Sequence, residues 1–151
     1  MEIGPFSRRL VELFPQLGRE IARHEHNSLS RGQLTLPQLW ALEYLSRRQG
    51  CPMHEIAGAL GISQPAATGL IHRLITERWV RREHDTQDRR IVRITITPRG
   101  RRLLQNIWEQ KRRAISHIFS QVSPADRAQY LAILERVVQT LAPLQPRRRA
   151  S

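Results

Sequence analysis

Over most of its length this chain spaces its apolar residues three and four apart. Over one stretch it does not. From Ile91 to Thr97 the period drops to two, with Ile91, Val92, Ile94 and Ile96 set against Arg93, Thr95 and Thr97. Such alternation makes a half-buried strand, and a strand needs a partner. The segment from Val80 to Glu83 is the plausible one. The charged residues between them, His84 to Arg90, become the loop of a hairpin. Any fold for this sequence must therefore place one small, highly charged β-finger among helices.

The helices are legible from period and punctuation. Phe6, Leu10, Leu13, Phe14, Leu17 and Ile21 form one apolar stripe on a helix of about twenty residues. Ser28 to Gln33 is a polar break. Thr35 is an N-cap candidate, and Leu36-Pro37 starts a helix holding Leu39, Leu42 and Leu45. Gly50-Cys51-Pro52 stops it. Two short helices follow with a tight joint: "MHEIAGAL", then "GIS", then "QPAATGLIHRLITERW". Ser63 caps the second of these, and Pro65 sits in its first turn, where a missing N–H costs little. Beyond the finger, Pro98 and Gly100 open a long helix with Leu103, Leu104, Ile107, Trp108, Ile115, Ile118 and Phe119. "SPAD", Ser123 to Asp126, resembles a capping box with Asp in place of Glu or Gln. The last helix holds Leu131, Leu134, Val138 and Leu141.

Charge narrows the class of partner. The formal net charge is +12, from 24 arginines and one lysine, Lys111, against 13 acids. A polyanion is the natural partner, with codon bias in a GC-rich genome as the plainer reading of most of the preference for arginine over lysine. Between Ser63 and Arg102 ten arginines face four acids, Glu77, Glu83, Asp85 and Asp88. No apolar run is long enough to span a membrane, and "MEIGPFSRRL" is not expected to be a signal peptide. The single cysteine, Cys51, allows no intrachain disulfide and suits a cytosolic setting. It reads as a small buried hydrophobe rather than a redox sensor.

Ala57 followed four residues later by Gly61 is helix-turn-helix punctuation: a small residue at a close helix crossing, then a glycine for a left-handed turn. Alone this signal is weak. Joined at once to a charged two-stranded finger it becomes a winged helix. The fold expected is mainly α with a small β-hairpin wing. The capped second helix suits a major groove, with Ser63 and the free N–H groups of the first turn near phosphate. An arginine at the finger's tip, Arg89 or Arg90, suits the negative potential of a narrow minor groove. Asp88 would pair with a neighbour such as Arg90 and hold the tip in shape.

From about Phe6 to Leu141 the sequence resembles the MarR family of bacterial and archaeal transcriptional regulators. The resemblance rests on "LTLPQLWAL", on "HEIAGALGISQPAATGLIHRL" and above all on "DTQDRRIVRITITPRG". That family's wing reads Asp-x-x-Asp-x-Arg before a strand ending in Leu-Thr-x-x-Gly. The resemblance implies a winged helix-turn-helix with a helical dimerisation region made of the first helix and the last two. Residues 1–34 would be the N-terminal dimerisation helix, 35–98 the DNA-binding domain, 99–143 the C-terminal dimerisation helices and 144–151 a loose basic tail. The partner implied is double-stranded DNA, a pseudo-palindromic operator bound by a homodimer. Ser63 and Thr68 match backbone-binding positions. Gln64, Pro65 and Ala66 match positions near base edges. Arg90 matches the wing arginine and Asp88 its buttress. Gly69 stands where many members carry a base-reading arginine, which implies readout that is either weaker or shifted toward His72 and Arg73. Arg78 stands where the family usually ends this helix with glycine, so a different helix end is expected.

Members of this family often bind a small aromatic or phenolic acid between the dimer lobe and the winged helix. His24, Trp40, Tyr44, Trp108 and Arg112 are the candidates for such a crevice, with core or interface packing as the plainer role of the tryptophans. His24-Glu25-His26 do not share a helix face, and no metal site is expected. No cofactor is implied. There is no glycine-rich phosphate loop and there are only three aspartates, so an enzyme is not expected. The expected function is sequence-specific regulation of transcription in the cytoplasm, as a homodimeric repressor released by a small ligand. Two alternatives stand beside it. One is a nonspecific architectural nucleic-acid-binding protein. The other is a helical scaffold whose basic face meets a membrane or an acidic protein.

Overall fold

The computed structural model describes residues 1–25 and 31–141. His26, the first half of the expected polar break and the basic tail at 144–151 lie outside the described residues. The elements run α1 (Ile3–Arg23), α2 (Leu36–Ser46), α3 (Met53–Leu60), α4 (Gln64–Thr76), β1 (Val80–His84), β2 (Val92–Ile96), α5 (Pro98–Phe119) and α6 (Pro124–Leu141). The chain is mostly helical with one antiparallel hairpin, as its periods indicate. It divides into two compact units, Met1–Ala114 and Ile115–Ser151.

The core of the first unit is built around α2. Leu39, Leu42 and Leu45 are buried there beside Ile56 of α3, Ile71 and Leu74 of α4, and Leu104 and Ile107 of α5. Two of these helices, α2 and α4, start where a side chain holds free N–H groups. Thr35 and Gln38 form a reciprocal capping box, and the Ser63 hydroxyl accepts from the Ala66 N–H. Caps of this kind contribute about 1 kcal/mol each. At the joint between α3 and α4, Gly61 has φ 65° and the Ile62 N–H donates back to the Ala57 carbonyl (3.1 Å).

The end of α4 differs from expectation. Arg78 does adopt the left-handed conformation, with φ 58°. Its N–H donates to the Ile75 carbonyl (2.8 Å), and the Trp79 N–H donates to the Leu74 carbonyl (2.9 Å). This is the paired closure that glycine usually supplies. An arginine there costs about 1 kcal/mol or more. Trp79 and Val80 offset that cost by entering the core directly behind it.

Val80 pairs with Ile96 and His84 with Val92 across the hairpin. Cys51 joins the same sheet: its N–H donates to the Ile94 carbonyl and its carbonyl accepts from the Ile94 N–H. Cys51 is buried, and burial pushes its thiol pKa up, reinforced by the negative charge of Glu55. Such a thiol is a packing group rather than a nucleophile.

The base of the hairpin is bolted to α5. The Thr97 hydroxyl donates to the Arg78 carbonyl (2.8 Å) and accepts from the Gly100 N–H (3.0 Å), while its own N–H donates to the Trp79 carbonyl (2.9 Å). Gly100 lies so close to Trp79 that a β-carbon would stand 2.2 Å from the Trp79 carbonyl oxygen. The "TPRG" that closes the finger is thus a packing requirement.

The apolar stripe of α1 leaves Phe6, Val11, Leu13 and Phe14 exposed. In the second unit Ser123 caps α6 through the Asp126 N–H, with the Asp126 carboxylate on the Ser123 hydroxyl. Leu131, Leu134, Val138 and Leu141 of α6 are exposed too. None of the helices among the described residues is long and apolar enough to cross a membrane.

Candidate nucleic-acid interface

Helix α4 carries its buried residues, Ala67, Ile71 and Leu74, on one side. Ser63, Gln64, Pro65, Ala66, Thr68, His72 and Arg73 are all exposed. The cap at Ser63 leaves an orderly first turn, and the partial positive charge of its N–H groups faces outward. Gly69 meets open space, so nothing inside the chain requires a glycine there.

Beside this face stands the hairpin, and its loop is a closed set of hydrogen bonds. The Arg90 guanidinium is held by Asp88 through Nε and Nη2, both at 3.1 Å, and the Arg90 N–H donates to the same carboxylate (3.0 Å). The Arg90 side chain is nevertheless 91% exposed, so it is aimed without being covered. Arg89 is exposed next to it, and its carbonyl meets the His84 ring nitrogen Nδ1 (2.9 Å).

A second carboxylate anchors the loop, and sequence reasoning passed over it. Asp85 receives the Arg93 guanidinium and, at its other oxygen, the N–H groups of Gln87 (2.8 Å) and Asp88 (3.1 Å). Its side chain is only 14% exposed. The hydrogen bond from Arg93, followed by those from the two backbone N–H groups, holds its pKa down to about 2. Asp88 is lowered as well, first by the Arg90 side chain and then by the Arg90 N–H. The signal was present in "DTQD": an aspartate whose oxygen can reach the N–H two residues on makes an Asx turn.

A pH dependence follows from the sign of the shift. The folded pKa of Asp85 lies below its unfolded value near 4, so its contribution is complete above about pH 4 and is lost as pH falls toward 2. Thermal unfolding followed between pH 6 and 2 should show that loss. Asp85→Asn should lack this part of the slope while keeping the parts due to Asp88 and Glu109, whose pKa values are also lowered. Equal acid slopes for the two proteins would contradict the anchoring role.

The five crevice candidates are placed as follows. Trp40 is exposed on α2. Tyr44 lies under the Arg48 guanidinium, 3.5 Å from its ring centre. Trp108 reaches α2 from α5 and donates its indole N–H to Glu43 (3.0 Å). Arg112 pairs with Glu109 (3.2 Å), and the His24 ring nitrogen lies 2.9 Å from the Glu20 carbonyl. Trp108 is thereby brought against the helix of Trp40 and Tyr44, whereas the Arg112 guanidinium is turned onto its own helix. Glu25 is buried and pairs with Lys111 (3.2 Å). Among the described residues no three His, Cys, Asp or Glu side chains gather as a metal ion would need.

Comparison with known proteins agrees with this fold. Residues 34–92 match the model of the MarR family. The uncharacterized HTH-type transcriptional regulator YsmB of Bacillus subtilis is 27% identical over 134 residues, spanning 89% of this chain and 84% of YsmB. A MepR mutant from S. aureus, solved bound to an oligodeoxyribonucleotide, superposes with a TM-score of 0.66 at 22% identity, covering 90% of this chain and 97% of that one. BpsR of Bordetella bronchiseptica, whose DNA binding is described as regulated by 6-hydroxynicotinic acid, superposes with a TM-score of 0.60 at 24% identity, over 91% and 93% of the two chains. At those identities the two structures speak for the fold alone.

Proposed function

We propose that this chain is a MarR-type, sequence-specific DNA-binding regulator of transcription, acting as a homodimeric repressor in the cytoplasm, a reading supported by the family match over residues 34–92 and by the similarity to HTH-type regulators. One observation carries this reading: a capped helix with an exposed polar face stands beside a β-finger whose tip arginine is aimed by Asp88. In the complex α4 lies in the major groove. Ser63 and Thr68 hold phosphates, Gln64, Pro65 and Ala66 lie near base edges, and His72 and Arg73 extend the readout. Arg90, with Arg89 beside it, enters the adjacent minor groove. Sitting on an operator, the protein represses by excluding the transcription machinery.

The exposed apolar residues of α1, and separately those of α6, support self-association. Faces such as Phe6, Leu13 and Phe14, or Leu131 and Leu134, are disfavoured in water and are covered by a second copy. The domain division at 34, 98 and 143 follows from that role. A small aromatic acid releasing the DNA is the companion proposal, with His24, Trp40, Tyr44, Trp108 and Arg112 as its contacts. The BpsR likeness in fold is its support.

Gly69 favours a second reading, a nonspecific architectural protein, because the centre of α4 lacks a side chain there to read a base. Selection of bound fragments from a random duplex library separates the two. The regulator yields a pseudo-palindrome with half-sites one helical turn apart, and Gln64→Ala changes which bases are preferred. Equal competition by random duplex, or a sedimenting monomer that still binds, would overturn the first reading.

A further inference from the structure

Between α4 and β1 lies an open groove of about 460 Å³. Ile75 and Val80 are its apolar lining, Thr97 also borders it, and every charged group on it is basic or can become so: His72, Arg78, Arg81 and Arg82. Arg81 is paired with Glu83 (2.6 Å). Among the described residues no carboxylate pairs with Arg78 or Arg82, and both are exposed. Arg78 is also the one non-glycine with positive φ among the described residues. A residue held in that conformation at a cost, with an unpaired charge facing a groove, points to a ligand of opposite charge.

The place of the groove identifies the anion. Thr68, His72 and Ile75 fall on one edge of α4, at i, i+4 and i+7, and His72 and Ile75 of that edge border the groove beside β1. On any duplex, the strand of sugar-phosphate that separates a major groove from the next minor groove must pass between an element in the one and an element in the other. Resting on the reading above, with α4 in the major groove and the finger in the minor groove, we propose that the channel seats that backbone, and that Arg78 and Arg82 are its phosphodiester contacts. The seat adds charge-assisted hydrogen bonds at the centre of each half-site and fixes the spacing of helix and finger on the duplex.

The test uses the full chain and the duplex selected from the random library. Arg78→Gly is the informative variant, because it relieves the left-handed strain. It should melt at or above the wild-type temperature and yet bind that duplex about ten- to a hundredfold more weakly near 0.15 M salt, without changing base preference. The log–log salt slope should become shallower by about 1 for each seat, about 2 for a dimer. Arg82→Gln should do the same. Placing an uncharged methylphosphonate at the backbone position between the two grooves should weaken wild type more than Arg82→Gln, which keeps only the Arg78 contact there. If Arg90→Ala weakens binding but both groove variants keep wild-type affinity and slope, the seat is wrong and the regulator stands. If wild type binds no duplex, the regulator itself is wrong. Saturable binding of inorganic phosphate by the free protein, abolished in Arg82→Gln and without effect on DNA affinity, would make the groove a free-anion site and overturn the phosphodiester assignment.

Discussion

Gly100→Ala is expected to destabilise the fold by about 3 kcal/mol, and to lower its melting temperature by about 10 °C. The added β-carbon would stand 2.2 Å from the Trp79 carbonyl oxygen and 2.9 Å from a side-chain carbon of Ile96. The first of these is backbone and cannot swing aside. Relief requires the first turn of α5 to lift away from the turn that ends α4. That movement strains the hydrogen bonds from Thr97 to the Arg78 and Trp79 carbonyls, at 2.8 and 2.9 Å, which hold the two segments together. It also opens the core where Trp79, Val80 and Ile96 meet. Domains have about 5–15 kcal/mol in hand, so the loss is a large fraction of the total. Gly69→Ala is the control. Its β-carbon meets nothing within 4 Å on an exposed helix, and it should stabilise by up to about 1 kcal/mol. Circular dichroism melts of both variants decide the matter, and a Gly100→Ala protein melting within about 2 °C of wild type, a loss of about 1 kcal/mol or less, would refute the close-contact account.

The same region shows which parts of the structure a sequence can disclose. Caps are local, so Ser63, Thr35 and Gly61 announced themselves through residues within four positions. Asp88 with Arg90 was legible for the same reason, being two residues apart. Asp85 with Arg93 was not, because they are eight residues apart and meet only once the loop has its register. Arg78 misled through its own conformational preference. Locally an arginine avoids positive φ, but Trp79 gains a buried site only if the chain turns at that point, and the tertiary gain prevails. The pairing of Cys51 with Ile94 and the channel beside β1 are likewise products of assembly: nothing within a window of ten residues encodes them. The apolar stripe of α1 was readable as a stripe. The second copy proposed to cover it has no signature in the spacing.

Arg90→Ala should weaken operator binding about 30- to 1000-fold while leaving the melting temperature of the free protein almost unchanged. The protein loses little because Arg90 is 91% exposed and only braces the tip. The complex loses much for three reasons. A guanidinium in a narrow minor groove meets an enhanced negative potential. Asp88 already fixes Nε and Nη2, so little side-chain freedom remains to be lost on binding. The outer edge, Nη1 and the second N–H of Nη2, stays available to the duplex. Each such contact is worth about 1–2 kcal/mol, and the proposed two-fold dimer would place two of them far apart on one duplex, where they add. The sum is about 2–4 kcal/mol, which gives the quoted range. Asp88→Asn should fall between the two, since it keeps the charge and loosens its aim. Anisotropy titrations of a labelled operator in 0.15 M salt measure all three proteins on one scale. An Arg90→Ala dimer that binds within threefold of wild type would place the finger outside the groove.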